Sequence, residues 1–160
     1  MQFKVGDQVV YPGQGVAVVR SIEDTELMGS LTTVVKLSVL GSDKLIMIPV
    51  SAIDRNRLRP VISRDEVDEV FDILRERNRV SENIPWNRRY RNFVEKINRG
   101  NIFEIAEVYR DLTLSKSSKQ LSFGERRLHD TARRLLVQEL GVAQNIPEEG
   151  LERELDSIFA

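Results

Sequence analysis

The hydrophobic pattern of this 160-residue chain changes period once, at Ser63, and that change dictates its architecture. Before it, short runs rich in β-branched residues are separated by glycine and proline. Gly6-Asp7 is a turn, Gln8 to Tyr11 a short apolar strand, and Pro12-Gly13-Gln14-Gly15 a tight loop in which proline presets φ and glycine permits positive φ. Val16 to Ile22 and Thr32 to Leu40 read as strands joined through Met28-Gly29-Ser30, a hairpin. Gly41-Ser42-Asp43 turns the chain into Leu45 to Val50. Pro49 makes that run an edge strand or a strand end, since proline cannot donate to an inner ladder. Four or five short strands in so few residues predict a small SH3-like barrel.

After Ser63 the apolar residues recur at helical spacing. Ser63 with Glu66 forms a capping box, and Val67, Val70, Phe71 and Leu74 make one apolar face. Residues 78–85 read as a polar linker whose Pro85 suits the first turn of the next helix. That helix, from Trp86, stops at Gly100. Asn101 and Glu104 start another, with Ile102, Ile105, Ala106, Tyr109 and Leu112 inward. Residues 115–119 read as a loop, and Ser122 with Glu125 repeats the capping box before a helix to about Leu140. A last helix from Pro147 to Phe159 buries Leu151, Leu155, Ile158 and Phe159. The expectation is an α+β chain: a β-barrel over residues 1–60, then a compact all-α domain of about five helices over 61–160.

Composition removes several function classes. Without cysteine there are no disulfides, thiol nucleophiles or thiolate metal sites. His129 is the only histidine, surrounded by Arg126, Arg127, Asp130 and Arg133, and reads as a boundary residue rather than a base. No cofactor or metal is expected, and no cluster of ionisable groups suits an enzyme. The Pro12–Gly15 loop lacks the lysine and helix of a phosphate loop. No signal-peptide-like or membrane-spanning apolar run is visible, so a cytoplasmic protein without membrane contact is expected. The net charge of −1 hides +1 over residues 1–60, −3 over 61–85, +6 over 86–134 and −5 over 135–160. A basic region between acidic flanks binds nucleic acid weakly unless something else holds the chain in place.

The most informative stretch lies in that basic region. WNRRYRNFVEKINR, Trp86 to Arg99, holds the only tryptophan and five basic residues against one acid. At about 100° per residue, Trp86, Tyr90, Phe93, Val94 and Ile97 share a face and the cations fill the rest. One reading is a core stripe with a solvated charged exterior. The other is functional: Arg88, Arg89 and Arg91 neutralise phosphates, and Trp86, at the first turn, projects as an apolar wedge into a distorted minor groove. Arg126, Arg127, Arg133 and Arg134 extend the patch if their helix packs nearby.

FKVGDQVVYPGQGV at the start, IMIPV around residue 48, WNRRYRNFVEKI before Gly100-Asn101, FEIAEVYRDL and LSFGERRLHDTARRLL together resemble the CarD/CdnL family of bacterial transcription regulators. Without a basic Pro/Gly-rich tail, the chain resembles the short stand-alone form. The resemblance implies a Tudor-like N-terminal domain that binds the RNA polymerase β subunit, similar to that of the transcription-repair coupling factor. It also implies a helical domain contacting promoter DNA, without sequence preference, in the minor groove at the upstream edge of the transcription bubble. By the same resemblance Trp86 is the wedge and Arg88, Arg89, Arg91 and Arg126 contact the DNA backbone. Thr25, Ile46, Met47, Ile48 and Pro49 fall on polymerase-facing positions. Some relatives carry basic residues where this chain has Thr25 and Met47, so contact here would rest on strand pairing and on Ile46, Met47 and Ile48. The implied function is stabilisation of the open promoter complex by a cytoplasmic, nucleoid-associated monomer. The rival is a polymerase-bound adaptor that recruits another protein through its acidic faces.

Overall fold

The computed structural model describes residues 3–77, 85–116 and 120–160, with the side chains of Trp86 and Lys116 outside that description. The 78–84 part of the linker expected at 78–85 and the 117–119 part of the expected loop therefore lie outside the described residues. The chain divides into two compact units, Met1–Val61 and Ile62–Ala160.

The first unit is one antiparallel sheet of β1 (Gln8–Tyr11), β2 (Gly15–Leu27), β3 (Ser30–Val39), β4 (Leu45–Pro49) and β5 (Arg59–Pro60). Their order is β4-β3-β2-β1-β5, so the strands form a meander whose last strand returns beside the first. A 3-10 turn, Val50–Ala52, follows β4. The core is Phe3, Val9, Ala17, Val19, Val35, Leu37, Ile48, Ala52 and Ile53. This is a small all-β domain of the kind the strand pattern predicts, consistent with the Tudor-like fold that the family resemblance implies. β2 and β3 are longer than their apolar runs because their outer halves pair without burying much. An irregularity between Val19 and Ser21 inserts Arg20 as an extra, exposed residue; that resets the alternation so Ile22 still packs on the core. Met28 (φ 51°) and Gly29 (φ 80°) close a two-residue hairpin with positive φ at both central positions, the twist that flanking strands favour. β5 escapes sequence reading because it is two residues long and contains Pro60, which an edge strand tolerates.

The second unit holds α1 (Arg64–Arg75), α2 (Trp86–Arg99), α3 (Ile102–Lys116), α4 (Phe123–Gln144) and α5 (Glu148–Ile158). α3 and α4 pack at its centre, α1 and α2 lie against both, and α5 covers α4. Leu74, Leu112, Leu136, Leu140, Leu151 and Leu155 are fully buried. Each such side chain stabilises the fold by about 1.5–3 kcal/mol relative to exposure. Both capping boxes form: Ser63 Oγ accepts from Glu66 N at 3.3 Å, and Ser122 Oγ from Glu125 N at 3.2 Å. Gly100 ends α2 in the left-handed region at φ 76°, and Asn101 Oδ1 accepts from Phe103 N at 2.9 Å to start α3. α4 runs to Gln144 and not to Leu140. Gly141 is not its stop: a Cβ there would sit 3.2 Å from the Ile146 carbonyl, which folds back over the helix end. Asn145, at φ 57°, is the true terminus.

Two buried charged residues organise this unit without having announced themselves in the sequence. Arg110 is 4% exposed; it donates to Ile73 O at 3.2 Å, Glu76 Oε2 at 3.0 Å and Asp111 Oδ1 at 3.0 Å, tying the end of α1 to α3. Glu139, buried on α4, accepts from Ile62 N at 3.1 Å, fixing the strand-like approach to α1. Buried charges persist where such partners exist.

Candidate nucleic-acid and protein interfaces

A helix start favours negative side chains, and four of the five helices among the described residues comply: Asp65 and Glu66 in α1, Glu104 in α3, Glu125 in α4, Glu148 and Glu149 in α5. α2 has no acid in its first turn, and its N-cap Pro85 supplies no side-chain hydrogen bond. Arg88 and Arg89 occupy that turn instead. Helix stability gives no reason for cations there, whereas an anionic ligand does.

The sequence-predicted cations separate into two groups. Arg88 and Arg91 are exposed and form no ion pair among the described residues. Arg89 is placed differently from the expectation of a freely projecting cation. Its guanidinium donates to Ser115 Oγ at 2.7 Å and lies 5.3 Å over the Phe93 ring, bracing α2 against the end of α3. At the far end of α2, Arg99 grips Glu104 through two hydrogen bonds of 3.0 and 2.7 Å, and Lys96 meets Glu107 at 3.4 Å. The hydrogen bond from Arg99 holds the Glu104 carboxyl below the usual carboxylate range and raises the Arg99 pKa in return. These two cations are structural.

α4 brings Arg126 to the same region. Tyr90, one turn after Trp86, packs on Gly124, where an added Cβ would stand 2.9 Å from its Cε2 and 3.2 Å from its hydroxyl oxygen. Only a glycine lets the first turns of α2 and α4 approach this closely. Arg126 and Arg127 are exposed in those turns. Phe123, 70% exposed, carries the Arg127 guanidinium 5.8 Å above its ring. An exposed aromatic at a helix start beside arginines is a signal the sequence does carry, but a phenylalanine in an apolar stripe reads first as core. Arg133 belongs elsewhere: it donates to Tyr109 Oη at 2.9 Å and Asp156 Oδ1 at 3.0 Å. Burial works against its charge, yet the hydrogen bonds it donates to Asp156 and Tyr109 outweigh this and raise its pKa. Gln120, Leu121, Arg126, His129 and Asp130 line an open cleft beside the patch. His129 is stacked on Tyr109 at 4.7 Å with Nε2 2.9 Å from Thr113 Oγ1, the boundary position expected of it. Among the described residues no group of three or more His, Asp or Glu is arranged to hold a metal. The wedge assigned to Trp86 concerns a side chain outside the described residues; its backbone opens α2.

In the first unit, β4 pairs only with β3, so its other edge carries no strand among the described residues. The register opposes Lys36 to Met47 and Leu37 to Ile46, and Val35 to Ile48. Ile46 and Ile48 thus turn toward the core with Leu37 and Val35, and Ile48 is 3% exposed. Of the three apolar residues expected to make a contact, Ile48 is buried and Ile46 half-buried, and the side chains offered outward are Met47, 53% exposed, and Leu45, 65% exposed, which sequence reading missed. Pro49 closes the strand, opposite Val34. Thr25, paired with Thr32 in the β2–β3 ribbon, lies on the same sheet face as Met47 by the two-residue alternation of β3.

Two family descriptions match the chain: "CarD-like/TRCF RID domain" over residues 3–62 and "CarD, C-terminal domain" over residues 69–156. The Bacillus subtilis (strain 168) protein named "Putative transcription factor YdeB" is 33% identical over 152 residues, spanning 94% of this chain and 97% of that protein. The solution NMR structure of the 72-residue N-terminal domain of Myxococcus xanthus CarD is 34% identical. It covers 37% of this chain and 79% of that one, with a TM-score of 0.33.

Proposed function

The chain belongs to the CarD family of transcription regulators, and we propose that it acts at initiation, bound to the RNA polymerase β subunit while it stabilises the open promoter complex. The observation that carries the DNA half is the start of α2: an uncapped, acid-free first turn with exposed Arg88 and Arg91, held against the α4 turn bearing Arg126 by Tyr90 on Gly124. Backbone N–H groups and arginines so arranged suit phosphates and carry no sequence preference. Trp86 opens the same turn and is the residue proposed to wedge into the minor groove at the bubble edge. Arg89 has a supporting part, fixing the pitch of α2 through Ser115.

The polymerase half rests on the outer edge of β4, which pairs with no strand among the described residues. A strand of the β subunit added there gains main-chain hydrogen bonds, with Met47 and Leu45 as the outward apolar contacts and Thr25 on the same face. Three arginines make a weak DNA site, and tethering compensates by raising its local concentration to the order of mM. A patch that binds only the opened junction shifts the closed-to-open equilibrium by its differential affinity, about 1.4 kcal/mol for a tenfold change.

The test is the lifetime of open complexes at equal polymerase occupancy, with wild-type protein, Trp86→Ala, and Arg88→Gln combined with Arg91→Gln. Both variants are expected to shorten the lifetime. Unchanged lifetimes for both, with occupancy maintained, would refute direct DNA contact and favour an adaptor.

A further inference from the structure

The β2–β3 ribbon outruns the rest of its sheet. β4 accompanies β3 only from Ser38 to Val34, while β2 and β3 remain paired through Asp24–Thr33, Thr25–Thr32, Glu26–Leu31 and Leu27–Ser30. Those four pairs make an overhang of roughly 13 Å. Its tip is apolar where turn chemistry asks for the opposite. The first central position of such a turn favours asparagine, aspartate or glycine, because other L side chains resist positive φ at a cost of roughly 1–2 kcal/mol. Met28 holds that position at φ 51° and is 105% exposed. It suits neither the turn nor the core, so folding does not explain it.

Two more large apolar side chains surround Met28: Leu31 is 76% exposed and Leu27 40%. Leu31 faces Glu26 across the ribbon, and Asp24–Thr33 lies on that same face; Leu27 lies on the other face, with Thr25. Apolar surface on both faces and at the end of a narrow ribbon suits insertion into a cavity more than contact with a flat surface. Asp24 and Glu26 repel phosphates and anionic lipid head groups, so the chemistry that suits this tip is a protein cavity with Lys or Arg at its rim on the Leu31 side. The Leu27 face continues the sheet face that bears Thr25, Met47 and Leu45, so a partner aligned along β4 is within reach of the tip.

We propose that this hairpin tip is a second docking element, with Met28, Leu27 and Leu31 entering an apolar, basic-rimmed pocket on RNA polymerase next to the site of β4. The inference rests on the polymerase reading above and adds a contact to it. The discriminating variant is Met28→Asn with Leu31→Thr, since asparagine suits the turn and threonine an exposed strand. The full-length variant, titrated against the cognate polymerase core enzyme, is expected to bind about tenfold more weakly, equivalent to about 1.4 kcal/mol. Its melting temperature should equal or exceed that of the wild type. Glu26→Lys should weaken binding at low salt and converge with wild type at high salt. Wild-type affinity in the double variant overturns the inference; if Met47→Asp still abolishes binding there, the polymerase reading stands and only the tip is removed. Absence of binding by the wild-type chain overturns both.

Discussion

Replacing Gly124 with alanine sets two local effects of known sign against each other. In a helix interior alanine is favoured over glycine by about 0.8–1.0 kcal/mol, an upper bound for Gly124 in the first turn of α4. Gly124 is not a positive-φ glycine, so its backbone accepts a side chain and the substitution is limited by space alone. The new methyl would stand 2.9 Å from Tyr90 Cε2 and 3.3 Å from Cζ, inside normal carbon contact. Overpacking of this kind costs about 1–3 kcal/mol, here at the lower end because a half-buried ring can swing away. Gly124→Ala should therefore change stability by no more than about 2 kcal/mol, in the destabilising direction. Removing the ring should reverse the sign: in a Tyr90→Leu background, Gly124→Ala should stabilise by up to about 1 kcal/mol. The coupling between the two positions is then on the order of 1–3 kcal/mol. Urea denaturation of the four proteins followed by tryptophan fluorescence reads the helical unit specifically, because Trp86 is the only tryptophan. The single variant should also shorten open-complex lifetimes, since moving Tyr90 shifts α2 against Arg126. Additivity within about 0.5 kcal/mol would refute the argument that Tyr90 requires a glycine at 124.

Arg133→Met should cost on the order of 1 kcal/mol through lost hydrogen bonds to Tyr109 and Asp156. It should leave the salt dependence of DNA binding unchanged, whereas Arg126→Gln should reduce the slope of log K against log salt by about 0.9 with little effect on urea unfolding. The Glu104 carboxyl titrates lower in the folded chain than its ordinary value of 4.5, so its pairing with Arg99 stabilises the fold above that pH and is lost as pH falls through the lower folded value. Urea titrations at falling pH should show this loss in wild type and a smaller one in Arg99→Gln; identical pH profiles would remove the pair as its cause.

Much of the architecture was legible because it rests on short-range rules. A capping serine reaches a backbone N–H three residues on, an apolar stripe repeats every third or fourth residue, and a two-residue turn needs only its own torsions. Ser63, Ser122, Gly100 and Asn101 all took the places such rules assign, and Gly29 closes the hairpin although Met28 before it is a poor residue for positive φ. The rules misled where a tertiary contact outweighed them. The helix expected to end near Leu140 runs on to Gln144, where the Ile146 carbonyl folds back over Gly141, and the pairing of Ile48 with Val35 turns toward the core a residue that the resemblance assigned to a partner.

By itself, then, the sequence determined the two-part architecture, the helix boundaries that carry caps, and the concentration of positive charge around Trp86. Only the tertiary structure decided how those charges are used. Arg89 meets Ser115, Arg133 meets Asp156 and Arg110 meets Glu76, each pair more than 20 residues apart. Arg88 and Arg91 remain exposed, and Tyr90 on Gly124 brings Arg126 to their side. The physical reason is reach: propensity and periodicity act over one or two turns of chain, while the pairing of a long cationic side chain depends on which distant backbone segments folding brings within about 3 Å.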